Sequence, residues 1–155
     1  MQKKEYMKKF ALFIGILLFI GCTPQSEKGL SPSEYQALLE QTVLPIPDSA
    51  LTAEQMEVKI KLLDIIYTHI CIEDNCQKLP VGKDLFEKEG LPAIYYDVTQ
   101  YQIEESNEAI KKWMAEDEVF HDHFSRLNQD SLMKESKENY WNIERPRLMK
   151  LLQAK

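Results

Sequence analysis

The sequence predicts an all-α domain, a small irregular bundle of four to six helices behind a cleaved signal peptide and a short tether. Three observations carry this. Ser31-Pro32-Ser33-Glu34 and Thr52-Ala53-Glu54-Gln55 are capping boxes, each opening an apolar-periodic segment. Apolar residues recur at spacings of three and four through most of the chain. No stretch alternates β-branched residues between turn signals, and beyond residue 22 glycine is confined to Gly29, Gly82 and Gly90.

The first helix starts at Ser31 as N-cap, with Pro32 in the first helical position, and is expected to run to about Val43. Tyr35, Leu38, Leu39 and Val43 face inward, and Leu44-Pro45-Ile46-Pro47 ends it in extended form. The second is predicted over residues 53–71 as the central helix, with Met56, Ile60, Leu63, Ile66, Tyr67 and Ile70 on a broad face flanked by Leu62 and Ile65. Asp84–Lys88 is a short helix with Gly90 placed to cap it. After Pro92 a stripe runs through Ile94, Tyr95, Val98, Tyr101, Ile103, Ile110, Trp113, Met114, Phe120, Phe124 and Leu127. Asp130 or Ser131 caps a last segment carrying Leu132, Met133, Tyr140, Trp141 and Ile143. Pro146 breaks or kinks the chain beyond it, and Leu148, Leu151 and Leu152 complete the C-terminus.

The N-terminus carries Lys3, Lys4, Lys8 and Lys9, then an uninterrupted apolar run, Phe10–Ile20. Eleven residues are too few for a helix that must cross the hydrocarbon core, which takes about 20. The pattern is that of a signal peptide. Leu18-Phe19-Ile20-Gly21-Cys22 resembles the bacterial lipoprotein lipobox: aliphatic, variable, small, then the acylated cysteine. It departs in having Phe19 where leucine is usual. The resemblance implies lipidation of the Cys22 thiol, cleavage before it and N-acylation of the new terminus. Two or more acyl chains anchor a protein stably without a membrane-spanning helix. Thr23 after Cys22, by resemblance to the usual sorting rule, implies the outer membrane of a Gram-negative cell, with the domain facing the periplasm. The expected organisation is signal peptide 1–21, lipid-anchored tether 22–31 and helical domain 32–155.

The layout also resembles a group of small helical bacterial lipoproteins of unknown function. It shares the lipobox, the short tether, the Met56–Tyr67 helix, a Lys88-Glu89-Gly90-Leu91 turn before a tyrosine-bearing helix, and a later Ser106-Asn107. That resemblance implies fold class and location and brings no catalytic residues with it.

Cys71 and Cys76, in ICIEDNCQK, are the remaining cysteines. An exported chain sits in an oxidising compartment. The pair lacks a second Cys or His pair at zinc spacing, and four intervening residues do not make a redox motif. A local disulfide closing the end of the central helix is therefore expected, worth about 2 kcal/mol for so short a loop.

The histidines offer little. Glu118-x-x-His121 has di-iron spacing, but position 66 is Ile, so His69 supplies no second motif. His121 and His123 point to different sides of a helix, and the run Glu116–His123 reads as a solvated acidic face. No nucleophile elbow, phosphate loop or zincin motif occurs, so no catalytic residue, metal or cofactor is assigned.

The chain has 19 basic and 25 acidic residues, net −6. The first 21 residues hold four lysines and one glutamate, so a chain beginning at Cys22 is near −9. That argues against nucleic acid and suits a basic partner. Aromatic residues concentrate in the second half, mostly at core spacing. Neighbours on a helix lie about 100° apart, so one each of Tyr95/Tyr96 and Tyr140/Trp141 is turned from the core; Tyr96 and Trp141 are the candidate interaction surface. The reading is a non-catalytic accessory lipoprotein that binds an unidentified envelope protein. The alternatives are an immunity-type lipoprotein neutralising a basic toxin and a lipid-tethered peptidoglycan hydrolase.

Overall fold

The computed structural model describes residues 29–155, and the lipobox with Cys22 lies outside the described residues. The fold is all-α, with one small hairpin set into it. In chain order it has α1 (Pro32–Leu39), α2 (Ala53–His69), β1 (Cys71–Glu73), β2 (Cys76–Lys78), α3 (Lys83–Lys88), α4 (Ala93–Glu116), α5 (Glu118–Ser125), α6 (Gln129–Asn139), a π turn (Tyr140–Glu144) and α7 (Arg145–Gln153). No helix among these residues is long and apolar enough to cross a membrane.

Both capping boxes form. Ser31 Oγ accepts from the Glu34 amide while the Glu34 carboxylate accepts from the Ser31 amide, and Thr52 and Gln55 do the same for α2. The first helix ends at Leu39, four residues short of expectation. The Thr42 hydroxyl takes the Leu39 carbonyl at 2.7 Å and the chain tightens into turns. Val43 is still buried, and its amide donates to the Tyr95 hydroxyl at 3.2 Å.

The core gathers around α2. Met56, Ile60, Leu62 and Ile65 are its buried face, while Leu63 and Ile66 pack half-buried beside it. Phe86 from α3, Tyr95 and Ile103 from α4, Leu148 from α7 and Leu51 and Leu79 from the connections complete the cluster. Helix α3 ends as its sequence dictates: Gly90 takes φ +79°, Leu91 N–H reaches the Phe86 carbonyl, and Gly90 N–H reaches that of Glu87. This is a Schellman motif with its apolar pair, Phe86 and Leu91, both buried.

Three further features differ from expectation. The stripe from residue 93 is split at Asp117, whose carboxylate caps α5 by accepting from the Phe120 amide at 2.9 Å. Helix α5 then folds back on α4, with the Phe120 ring edge-on to Trp113 at 5.5 Å. Asn128, not Asp130 or Ser131, caps α6. Pro146 does not break the last segment. The preceding backbone widens into a π turn in which the Arg145 amide reaches back to the Tyr140 carbonyl, and the helix continues through the proline.

The Cys71–Cys76 region carries the main correction. It is a β-hairpin, with Asp74 and Asn75 both at positive φ (50° and 64°), a type I′ turn. The strands are three residues each, too short for alternation to reveal them. Cys71 pairs with Lys78 and Cys76 with Glu73, so the two cysteines share a face as diagonal neighbours. Diagonal partners stand about 7–8 Å apart, beyond the about 4.4–6.8 Å a disulfide spans. The expected disulfide is therefore absent, and both thiols are free.

The hairpin is held from both sides: β1 packs against α6, whose Gln129 Nε2 donates to Asn75 Oδ1 at the tip at 2.9 Å, and β2 lies along α4. Gln77 opposes Ile72 in a non-hydrogen-bonded pair, so its peptide groups point outward. Asn107 of α4 meets both: its Oδ1 accepts from Gln77 N–H at 2.9 Å and its Nδ2 donates to the Gln77 carbonyl at 2.8 Å. The side-chain amide thus stands in for a third strand. Asn107→Leu strands two partly buried peptide groups and should cost about 1–3 kcal/mol in chemical denaturation, with faster Gln77 amide exchange. Unchanged stability and exchange would remove Asn107 from this role.

Candidate binding groove

The π turn organises a polar cluster between α2 and α7. Asp64, on α2, faces α7. Arg145 holds its carboxylate with two hydrogen bonds, Nε to Oδ1 at 2.8 Å and Nη2 to Oδ2 at 3.0 Å. The Tyr140 hydroxyl donates to the same Oδ1 at 2.6 Å. The Tyr140 ring stacks on Tyr67, centroids 4.3 Å apart and planes within 8°, and the Tyr67 hydroxyl bonds Ser136 of α6. Burial, then the Asp64 hydrogen bond and charge, push Tyr140 well above the usual phenol range. It stays neutral and a donor.

Trp141 is set by this cluster. Its ring lies edge-to-face against Tyr140 at 5.1 Å, and the Arg145 guanidinium stands 5.5 Å from its centroid. It nonetheless remains 39 % exposed, and Ile143 two residues on is 64 % exposed. Trp141 forms one lip of an open groove of about 730 Å³ between the end of α2 with β1 and the wall of α6 with the π turn. Ile70 and Met133 are its buried apolar lining, and Lys134 and Glu138 stand exposed along it. The groove is a wide, open depression with an apolar floor, and Asp130, Lys134, Lys137 and Glu138 stand along its rim.

The sequence candidates fall in different places. Trp141 is on the groove. Tyr96 is half-buried on α4, its ring edge-on to Phe86 at 5.5 Å with Lys83 Nζ 6.0 Å from it, and is not among the groove residues. Cys71 lines the groove with a free thiol; Cys76 does not line it. His121 is exposed beside Asp122 on α5. Among the described residues no three His, Cys, Asp or Glu side chains converge as a metal site. Of the other aromatics, Tyr101 stacks on Tyr35 at 4.2 Å, and Phe120 stacks on Phe124 at 5.3 Å.

Sequence reading missed Asp64 and Arg145. Tyr140 and Arg145 are five apart, about 140° around an ordinary helix. The π turn brings both to Asp64, and Pro146 was the signal that could have raised it.

A second network ties this end of the molecule down. Asp48 accepts from Lys59 Nζ at 2.6 Å and from Arg147, which also clasps Glu144. Burial alone would raise Asp48, but the hydrogen bonds from Lys59 and Arg147 and their charges outweigh it and hold its pKa below the usual value. A depressed carboxylate stabilises the fold above its unfolded pKa of about 4, and that contribution is lost as pH falls through the folded value. Wild type should therefore melt higher than Asp48→Asn at pH 7, and the gap should close below about pH 4. A gap that persists unchanged at about pH 2.5 would refute the linkage.

The chain matches no protein-family model, no curated protein and no solved structure.

Proposed function

We propose that this is a lipid-anchored protein of the bacterial envelope that works by binding a protein partner, with the groove beside Trp141 as its contact surface. The observation that carries the reading is Trp141 itself: a large aromatic held in place by Tyr140 and Arg145 yet open to solvent at the edge of an apolar cleft. Rigid, amphipathic aromatics of this kind are what interfaces use as anchors. The lipobox-like segment ending at Cys22 supports the location, and the acidic net charge supports a partner other than nucleic acid.

The test is in-cell crosslinking with a benzophenone amino acid at position 134, on the groove wall, followed by affinity capture and mass spectrometry. Cys22→Ser serves as the unanchored control and should itself be uncleaved or soluble. Recovery of one specific protein, lost or weakened in the control, is the expected result. Recovery of lipid and glycan fragments alone would overturn the binding reading in favour of a tethered hydrolase, and normal membrane fractionation of Cys22→Ser would overturn the anchor.

A further inference from the structure

Side chains alternate along a strand and register partners share a face, so Cys71, Glu73, Cys76 and Lys78 occupy one face of the hairpin. Lys78 stands opposite Cys71, and Glu73 stands opposite Cys76. The acid and the lysine hold one diagonal of this square and are joined by an ion pair at 2.9 Å. The two cysteines hold the other diagonal, both half-buried and both free. Their separation of about 7–8 Å exceeds the about 4.4–6.8 Å that a disulfide spans. That window belongs to sulfurs about 2.05 Å apart. Two metal–sulfur bonds of about 2.3 Å laid end to end set the sulfurs about 4.6 Å apart. The difference, about 2.5 Å, moves the window to about 7–9 Å, which takes in the diagonal. Cys71 Sγ already leans across the ladder, 3.7 Å from the Lys78 carbonyl oxygen.

We propose that Cys71 and Cys76 hold one Cu(I) ion between their sulfurs, a two-coordinate site that bridges the diagonal of the hairpin face. Thiolates are soft ligands, and among the common metals they select Cu(I), zinc or iron–sulfur clusters. Zinc sites take at least three protein ligands. Among the described residues no three His, Cys, Asp or Glu side chains converge, so the pair falls short of a zinc site. Monovalent copper, with its filled d shell, is satisfied by two thiolates in line. Binding is a ligand exchange without redox change. Each thiol releases its proton, two Cu–S bonds form, and the site goes from neutral to one negative charge. Two ammonium groups stand near to offset that charge. The pKa values of Lys78 and Lys111 are raised first by their hydrogen-bonded partners, Glu73 and Glu108, and further by negative charge on Cys76. The backbone prepares the site as well. The Asp74-Asn75 turn sets the register, and Asn107 and Gln129 hold the hairpin from either side. This site is independent of what occupies the groove.

The experiment uses the full chain in detergent with Cys22→Ser, which leaves Cys71 and Cys76 as its only thiols. Thiols are counted first, on protein isolated without reductant. Two free thiols are expected, and a Cys71–Cys76 disulfide overturns the site. Cu(I) is then added without oxygen, in competition with the coloured chelator bathocuproine disulfonate. One equivalent per chain should be withheld from the chelator, with the chain still monomeric in sedimentation. X-ray absorption of that complex should show two sulfur neighbours and no nitrogen or oxygen. Cys71→Ser and Cys76→Ser should each lose at least about a hundredfold in affinity, the upper end of what changes to residues around a metal's ligands cost. Circular dichroism checks that both variants fold, and the absorption measurement needs neither of them. Zn(II) at equal concentration should leave the copper in place. Copper withheld equally well by either serine variant overturns the proposal. So does a nitrogen or oxygen neighbour, displacement by zinc, or a dimer in which copper joins one thiol from each chain. A chelator that takes all the copper from the parent chain overturns it as well.

Discussion

Phe86→Ala should destabilise the domain by about 3–5 kcal/mol, the range for emptying a fully buried phenylalanine site. Phe86 is entirely buried and holds three things at once. It is the third residue from the end of α3, and its carbonyl accepts the Leu91 amide that closes the Schellman turn. Its ring packs in the main core cluster, and it meets the Tyr96 ring edge-on at 84°. Alanine keeps the backbone bond but leaves a void that a six-residue helix, bounded by Gly82 and Gly90, can fill only by shifting as a unit. Domains of this size have about 6–20 kcal/mol in hand, so the loss is a large share. Guanidinium denaturation measures it, and Phe86→Leu, which retains most of the volume, should lose clearly less. A loss below about 1 kcal/mol would mean that α3 is not docked on the core, because such small values belong to surface sites.

The helices were legible because each signal was local. Ser31 and Glu34, Thr52 and Gln55, and Gly90 after Lys88 state their boundaries within four residues, and the structure places caps at those positions. The features that were not legible all depend on distant partners or on a departure from regular geometry. Three-residue strands carry too little period for alternation to be read, and the Asp74-Asn75 turn became informative only with its two positive φ values. The cysteine spacing suggested proximity, which is right, but a disulfide depends on register, and a two-residue turn makes Cys71 and Cys76 diagonal instead of opposite. Asn107 is 30 residues from the strand it completes. The groove was half visible: Trp141 stood out as the adjacent aromatic that could not be buried with Tyr140. Asp64 did not stand out, since a lone acid on the polar side of an amphipathic helix has nothing in the sequence to distinguish it from its solvated neighbours.

Asp64 is therefore the residue on which the second large effect is expected. Asp64→Ala leaves the Arg145 guanidinium and the Tyr140 hydroxyl without their shared acceptor, and the groove loses the support behind Trp141. Hydrogen bonds to a charged group are worth about 1.5–3 kcal/mol, and stranding a partner adds to that. Asp64 and Arg145 are roughly a quarter to a third exposed, at 27 % and 34 %, so water recovers part of it. The expected loss is about 2–3 kcal/mol after that allowance. Tyr140→Phe removes one bond to the carboxylate and should cost about 1–2 kcal/mol, while Arg145→Lys keeps a charge but not the two-point grip and should fall near it. A double-mutant cycle between positions 64 and 145 should return a coupling well above the few tenths expected of independent sites. Two readouts separate scaffold from site. Near-ultraviolet circular dichroism should change in Asp64→Ala, because the stacked Tyr67, Tyr140 and Trp141 rings lose their fixed geometry. Affinity for the protein captured at the groove should fall in Asp64→Ala even under conditions where the variant is fully folded, since a rotating Trp141 must be ordered again on binding. If the spectrum changes and the affinity does not, the network serves the fold alone, and Trp141 is exposed there for want of room in the core.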